Sequence, residues 1–221
     1  MKLSVYDLDH TLCRKSTLKL FYQYLLNKRI VSRKNFISIN LLYLLFISGI
    51  VNINKMRDSI LCILKDKSRE EISGITEGFL SELKTADFRQ ELLEALKLER
   101  RKGYFLLLLT GAPDIYAHQI GKKFGFDKVI STKTEFKNDK FLGRALGVVC
   151  NNREKPKLLK ELIDGGDFDL SSSRGYGNEE DAPWLSLLSK ATIYKEIQGG
   201  RLRSSPSFRL FALAGSFLRQ L

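Results

Sequence analysis

The stretch Tyr104–Leu109, YFLLLL, constrains the fold more than any other part of the chain. It is a continuous apolar run, preceded by Lys102-Gly103 and closed by Thr110-Gly111-Ala112-Pro113. Such a run fits a strand buried on both faces, as in the centre of a parallel sheet; a strand with one wet face would alternate polar and apolar residues. Residues 3–8, LSVYDL, read as a second strand, which delivers carboxylates at its C-terminal end. Val129-Ile130, a run ending at Tyr176-Gly177-Asn178, and Ala191–Tyr194 supply three more. Helical patterns lie between them: one from Pro113 through Phe124, one at Lys155–Ile163 and one near Pro183–Leu188. This alternation predicts an α/β fold with a parallel sheet covered by helices on both faces. Residues 132–146 are expected as a hairpin turning at Lys137-Asn138-Asp139-Lys140.

The region after the first strand is different. From Ser16 to about Leu83 apolar residues recur at three- and four-residue spacing, and Ser68-Arg69-Glu70-Glu71 opens a helix as a capping box. A further helix, Phe88–Arg101, ends at a basic turn and Gly103. The helical block 14–84 is therefore expected as an insertion at the carboxyl edge of the sheet, where ligands sit in such folds. The core is expected in 1–13 and 85–221. Within the block, Asn35–Asn54 carries no charge for 20 positions and has basic flanks (Lys28, Arg29, Arg33, Lys34; Lys55, Arg57). Its length reaches that of a membrane span, but four asparagines and two serines dilute it. Two readings follow: a pair of short buried helices, or a helix docked on a membrane surface.

Lys and Arg total 37 against 25 Asp and Glu, a formal net charge of +12, which favours anionic partners. Cys13, Cys62 and Cys150 form no C-x-x-C pair, which excludes a disulfide scaffold or zinc knuckle and fits a reducing compartment. The opening MKLSVYDLDHTL does not read as a signal peptide, since Asp7 and Asp9 precede any apolar segment, so none is expected. A cytoplasmic location is expected, with a peripheral position at the inner face of the membrane as the alternative. The segment Gly199–Leu221 bears Arg201, Arg203, Arg209 and Arg219 around an apolar helical stripe, which fits packing on its own domain or a membrane surface. No G-x-S-x-G, P-loop or dinucleotide motif occurs.

The informative cluster is Asp7-Leu8-Asp9-His10-Thr11, two carboxylates at i and i+2 where a buried strand enters a loop. They repel each other unless a cation or a proton lies between them. Thr110 ends a buried strand, Lys155 opens a helix and Asn178–Asp181 follows another strand, so all converge on one sheet edge.

In this order and spacing the chain resembles the haloacid dehalogenase (HAD) superfamily, and more narrowly its phosphoserine-phosphatase-like branch with a helical cap. The residues that carry the resemblance are Asp7–Thr11, Leu107–Pro113, Asp127–Thr132, Gly143-Arg144, Arg153-Glu154-Lys155 and Gly177–Leu185. It implies a Rossmann-like core with an inserted α-helical cap, and a Mg²⁺-dependent phosphomonoesterase. Asp7 would be the nucleophile that forms an aspartyl-phosphate, and Asp9 the general acid and base. Thr110 and Lys155 would complete the catalytic set, Thr110 with Gly111 binding the phosphoryl group. Arg57, in the cap, would reach a substrate anion or instead face solvent or lipid. Mg²⁺ would be held by Asp7, the Asp9 carbonyl and the fourth motif. That motif is one residue shorter than the family's, which leaves Asn178, Glu179 and Asp181 as candidate ligands. The implied partner is a phosphorylated small molecule. A phospholipid, handled as by a phosphatidylglycerophosphate phosphatase with its cap on the bilayer, is the alternative. A third reading, an inactive anion- or nucleic-acid-binding module, draws on the net charge and the short loop but has no nucleic-acid motif behind it.

Overall fold

Five strands, β1 (Lys2–Tyr6), β2 (Tyr104–Pro113), β3 (Lys128–Thr132), β6 (Asp169–Gly177) and β7 (Lys190–Ile193), form one sheet in the order β3-β2-β1-β6-β7. Every neighbouring pair runs parallel. The structure, a computed structural model, describes residues 1–147 and 149–194. The basic segment 199–221 lies outside the described residues.

Side-chain alternation along the two central strands explains why the sheet needs cover on both sides. Tyr6, Leu106 and Leu108 face one hydrophobic cluster, with Leu92 and Leu96 of helix α5 (Gln90–Arg101) and Tyr116 and Ile120 of α6 (Asp114–Phe124). Leu3, Val5, Leu107 and Leu109 face another, with Leu159 of α7 (Lys155–Asp164) and Trp184 and Leu185 of α8 (Ala182–Leu185). Leu106 through Leu109 are all fully buried, each contributing about 2 kcal/mol. The run YFLLLL is therefore the central buried strand its composition predicts. One boundary differs: β2 continues through Thr110-Gly111-Ala112 to Pro113. Pairing with β3 skips from Leu109 to Pro113, so the strand stays extended across an irregular register where the sequence reads as a turn.

Between β1 and α5 lie α1 (Thr17–Asn27), α2 (Arg33–Ile47), α3 (Ile53–Leu61) and α4 (Arg69–Glu82). The Ser68–Glu71 capping box opens α4. Buried residues of this segment, among them Phe21, Leu25, Leu61 and Phe79, belong to the same cluster as Tyr6 and Leu108. The expectation of a pair of buried helices over 35–54 does not hold for α2. Only Ile39 is buried there, while Ile37, Leu41, Leu44 and Ile47 are exposed, as are Ile50 and Ile53 beyond it. Apolar residues surround this helix instead of forming one stripe, so its contact side cannot bury them all. No helix among the described residues is long and apolar enough to cross a membrane.

The hairpin β4 (Thr134–Lys137) and β5 (Lys140–Ala145) turns where expected, with Asn138 and Asp139 both at positive φ, as a two-residue hairpin turn requires. It is tied to the helical segment: the Phe141 N–H donates to the Lys67 carbonyl, and the Asp66 N–H to the Phe141 carbonyl, each at 2.9 Å. At Gly143 (φ 73°) a Cβ would come within 2.9 Å of the Cys62 Cα, so the close approach of hairpin and helix needs glycine.

Candidate active site

Because β1 is the middle strand, its end is flanked by the ends of β2 and β6. The Asp7 N–H donates to the Tyr176 carbonyl at 2.8 Å, which extends the ladder one residue beyond β1. The chain then turns sharply: the Leu12 N–H reaches the Asp7 carbonyl, the Cys13 N–H reaches that of Leu8, and His10 sits at φ 61°. A non-glycine residue held there costs on the order of 1 kcal/mol and places Asp7 and Asp9 on one side of the turn. Beneath it, the buried Glu99 of α5 accepts from the Tyr6 and Tyr176 hydroxyls, fixing the two strands against the helix.

Asp7, Lys155 and Asp181 meet in the interior. The Lys155 ammonium donates to Asp7 Oδ1 at 2.6 Å and to Asp181 Oδ1 at 2.8 Å, and all three side chains are buried. Burial opposes the lysine charge, but the two carboxylates outweigh it and hold the ammonium above the ordinary lysine range. Burial pushes the Asp7 carboxyl up to about 7, Asp181 adding to the effect and Lys155 opposing it. Once Asp7 is ionised, two carboxylates against one ammonium leave the group one charge negative, and Asp7 Oδ2 is buried with no hydrogen-bond partner.

Asp181 is the anchor of this group. Its Oδ1 also accepts from the Trp184 indole N–H (2.7 Å), and its Oδ2 accepts from the Asn178 N–H (2.9 Å). Gly177 lets the loop close over it: a Cβ there would lie 2.7 Å from the Asp181 Cβ. The Asn178 amide lies above, 3.5 Å from the Asp9 carbonyl, with its own Oδ1 accepting from the Glu180 N–H.

Asp9 is held by the helical segment. Its Oδ1 accepts from the Thr17 N–H at 2.6 Å, at the positive end of α1. Burial raises the Asp9 carboxyl above its usual range, and this hydrogen bond partly offsets the effect.

A cleft of about 220 Å³ opens over these groups, lined by Asp7, Asp9, Lys155, Asn178, Gly111 and Arg57 among others. Arg57 is 5% exposed and sits in this wall, so the reading of it as solvated or lipid-facing does not hold. Its guanidinium lies 3.3 Å from Asp58 Oδ1 and 3.4 Å from Asn54 Oδ1. Thr110 is fully buried behind the cleft, its hydroxyl accepting from the Ala112 N–H at 3.1 Å, while Gly111, Ala112 and Pro113 form the wall. Glu179 is exposed and is not among the lining residues.

Sequence reasoning missed several members. Asn152 Nδ2 donates to Glu180 Oε2 at 2.7 Å, joining the loop before α7 to the fourth motif at the cleft. Thr17 and Trp184 act through Asp9 and Asp181. Trp184 stands in the quoted motif, yet nothing in its spacing shows that the indole faces inward. Thr17 follows the helix cap Ser16, the one local signal that its N–H is available to a carboxylate.

The donor set also suits a divalent cation. Among the described residues no group of three or more His, Cys, Asp or Glu side chains is arranged to hold a metal. What converges instead is an unpartnered carboxylate oxygen of Asp7 and the Asp9 backbone carbonyl, oxygen donors of the kind Mg²⁺ takes, with the Asn178 amide beside them, its Nδ2 donating to that carbonyl at 3.5 Å and its Oδ1 accepting from the Glu180 N–H.

A sequence profile described as haloacid dehalogenase-like hydrolase matches residues 5–185. A search of curated protein sequences found no match. Among solved structures, a Bordetella pertussis Tohama I protein of unknown function superposes with a TM-score of 0.74 at 18% identity, covering 97% of this chain and 96% of that one. A HAD family hydrolase from Salmonella enterica serovar Typhi gives 0.63 at 15% identity, over 85% of this chain and 60% of that one. A phosphoserine phosphatase carrying a phospho-aspartyl intermediate analogue gives 0.59 at 18% identity, over 87% and 85%.

Proposed function

Since the chain belongs to the haloacid dehalogenase-like hydrolases, we propose that it hydrolyses phosphomonoesters through an aspartyl-phosphate on Asp7, with residues 14–84 as the cap over the cleft. The observation that carries this reading is Asp7 Oδ2, a buried carboxylate oxygen without a partner, one atom away from the oxygen that Lys155 holds. Left unsatisfied, such an oxygen costs about 1–3 kcal/mol or more, so it is an atom kept free for a reaction or a cation.

One oxygen of the Asp7 carboxylate attacks phosphorus in line, the bond to the leaving alkoxide breaks, and Asp9 gives the departing oxygen its proton. The raised Asp9 carboxyl suits a group that must be protonated at the start. Asp9 then takes a proton from water, which attacks phosphorus, releases phosphate and restores Asp7. Lys155 balances charge on Asp7 and the phosphoryl oxygens through both steps. The Gly111 backbone in the cleft wall takes a phosphoryl oxygen, and Thr110, buried behind it, fixes that wall through the Ala112 N–H. Mg²⁺, held by Asp7, the Asp9 carbonyl and Asn178, would neutralise the repulsion between Asp7 and a phosphate dianion. Asp181 acts by fixing Lys155.

The test is a phosphate-release screen over phosphorylated metabolites and lipids with Mg²⁺, run beside Asp7→Asn. Turnover of at least one ester, abolished in the variant, is expected. Silence across the panel with folded protein, or turnover that survives Asp7→Asn, refutes the reading.

A further inference from the structure

Beside the cleft lies a second cavity of about 270 Å³, walled by Leu18, Tyr22, Tyr43, Phe46, Met56 and Ile60. Four residues, His10, Ser16, Leu18 and Ile53, line both cavities, so the apolar one adjoins the catalytic one. Among the described residues no carboxylate or guanidinium lines it, and the one ammonium, Lys19, is exposed. The alcohol side of a phosphate ester bound at Asp7 must leave past Asp9, whose neighbour His10 forms the shared wall.

From this we infer that the ester's alcohol is aliphatic: the enzyme takes the monophosphate of an extended hydrocarbon alcohol and seats its chain between α1, α2 and α3. The inference rests on the proposed phosphatase reading and narrows its substrate. A polar, zwitterionic alcohol such as serine would lose hydration of its amino and carboxyl groups here and find no carboxylate or guanidinium in return. A hydrocarbon chain gains with every methylene buried. The exposure of this region points the same way. Ile53, a wall of both cavities, is 53% exposed, so the apolar lining reaches the surface there, and Ile50, three residues earlier, is 72% exposed.

The experiment measures kcat/KM with Mg²⁺ for ethyl, butyl, hexyl and octyl phosphate below their micelle concentrations, with O-phosphoserine and p-nitrophenyl phosphate alongside. A rise of roughly fourfold per methylene, about 0.8 kcal/mol each, is expected until the cavity fills. Phe46→Asp should flatten that rise and Ile37→Ser, on the exposed side of α2, should leave it intact. The wild-type series alone decides if Phe46→Asp does not fold. A parallel arm compares monomeric octyl phosphate with phosphatidic acid in phosphatidylcholine vesicles. Where the series rises, the faster of the two identifies a free or a bilayer-borne ester. A flat or falling series, or preference for O-phosphoserine, while p-nitrophenyl phosphate turnover still depends on Asp7, overturns the inference and leaves the phosphatase reading intact. No turnover of any ester overturns both.

Discussion

Lys155→Met removes the one cation from a buried group of three charges and leaves Asp7 and Asp181 facing each other. Both carboxylates lie within hydrogen-bond reach of the same nitrogen, at 2.6 and 2.8 Å, so they are within a few ångströms of one another. At about 5 Å and an effective dielectric constant of about 20, their repulsion is about 3 kcal/mol. Removing one partner of a buried ion pair generally costs about 3–5 kcal/mol, because the remaining charge stays buried without compensation. The expected loss at pH 8 is therefore about 3–5 kcal/mol. It must shrink at pH 5: burial pushes Asp7 up to about 7, so at pH 5 it is already neutral in the folded wild type and can donate its proton toward Asp181. Urea unfolding in metal-free buffer measures both values. Trp184 is the only tryptophan, is fully buried and donates to Asp181, so its emission follows this region directly. A loss below about 1 kcal/mol at pH 8, or equal losses at the two pH values, would refute the electrostatic account of the site.

Other consequences are as specific. Asp7→Asn should raise the Tm of the metal-free protein, by more at pH 8 than at pH 5. With a folded pKa above the unfolded one, the wild type binds more protons folded than unfolded between about 4 and 7, so its stability falls as pH rises through that window while the variant's does not. Gly177→Ala places a methyl against Asp181 and should lower kcat by about tenfold or more while KM changes little; unchanged kcat would mean that Asp181 need not stay in place. Mg²⁺ titration should change Trp184 fluorescence saturably in the wild type, and Asn178→Ala should weaken that response about tenfold or more; an unaltered midpoint would remove Asn178 from the donor set.

The parts legible in sequence were those whose physics is local. The buried run Tyr104–Leu109, the Asn138-Asp139 turn and the Ser68–Glu71 capping box each carry their structure within a few residues, and each stands where expected. The gathering of Asp7, Asp9, Lys155 and Asn178 at one cleft was legible because a parallel sheet brings its strand ends together. Distant partners were not. Lys155 meets Asp7 across 148 positions, and nothing near Asp181 shows that its oxygens would be taken by Lys155, Trp184 and the Asn178 N–H. The apolar surface of α2 was ambiguous for another reason: composition reports hydrophobicity but not what covers it, and here much of it is exposed.

The central claim is that Asp7 makes a covalent bond to phosphorus. The most direct measurement is rapid acid quench during turnover of an accepted ester, followed by peptide mass spectrometry. One phosphoryl group on the peptide containing Asp7, absent from Asp7→Asn, is the predicted result. Phosphate released in full with no phosphoryl group on that peptide at any quench time, or one carried by another residue, would contradict it.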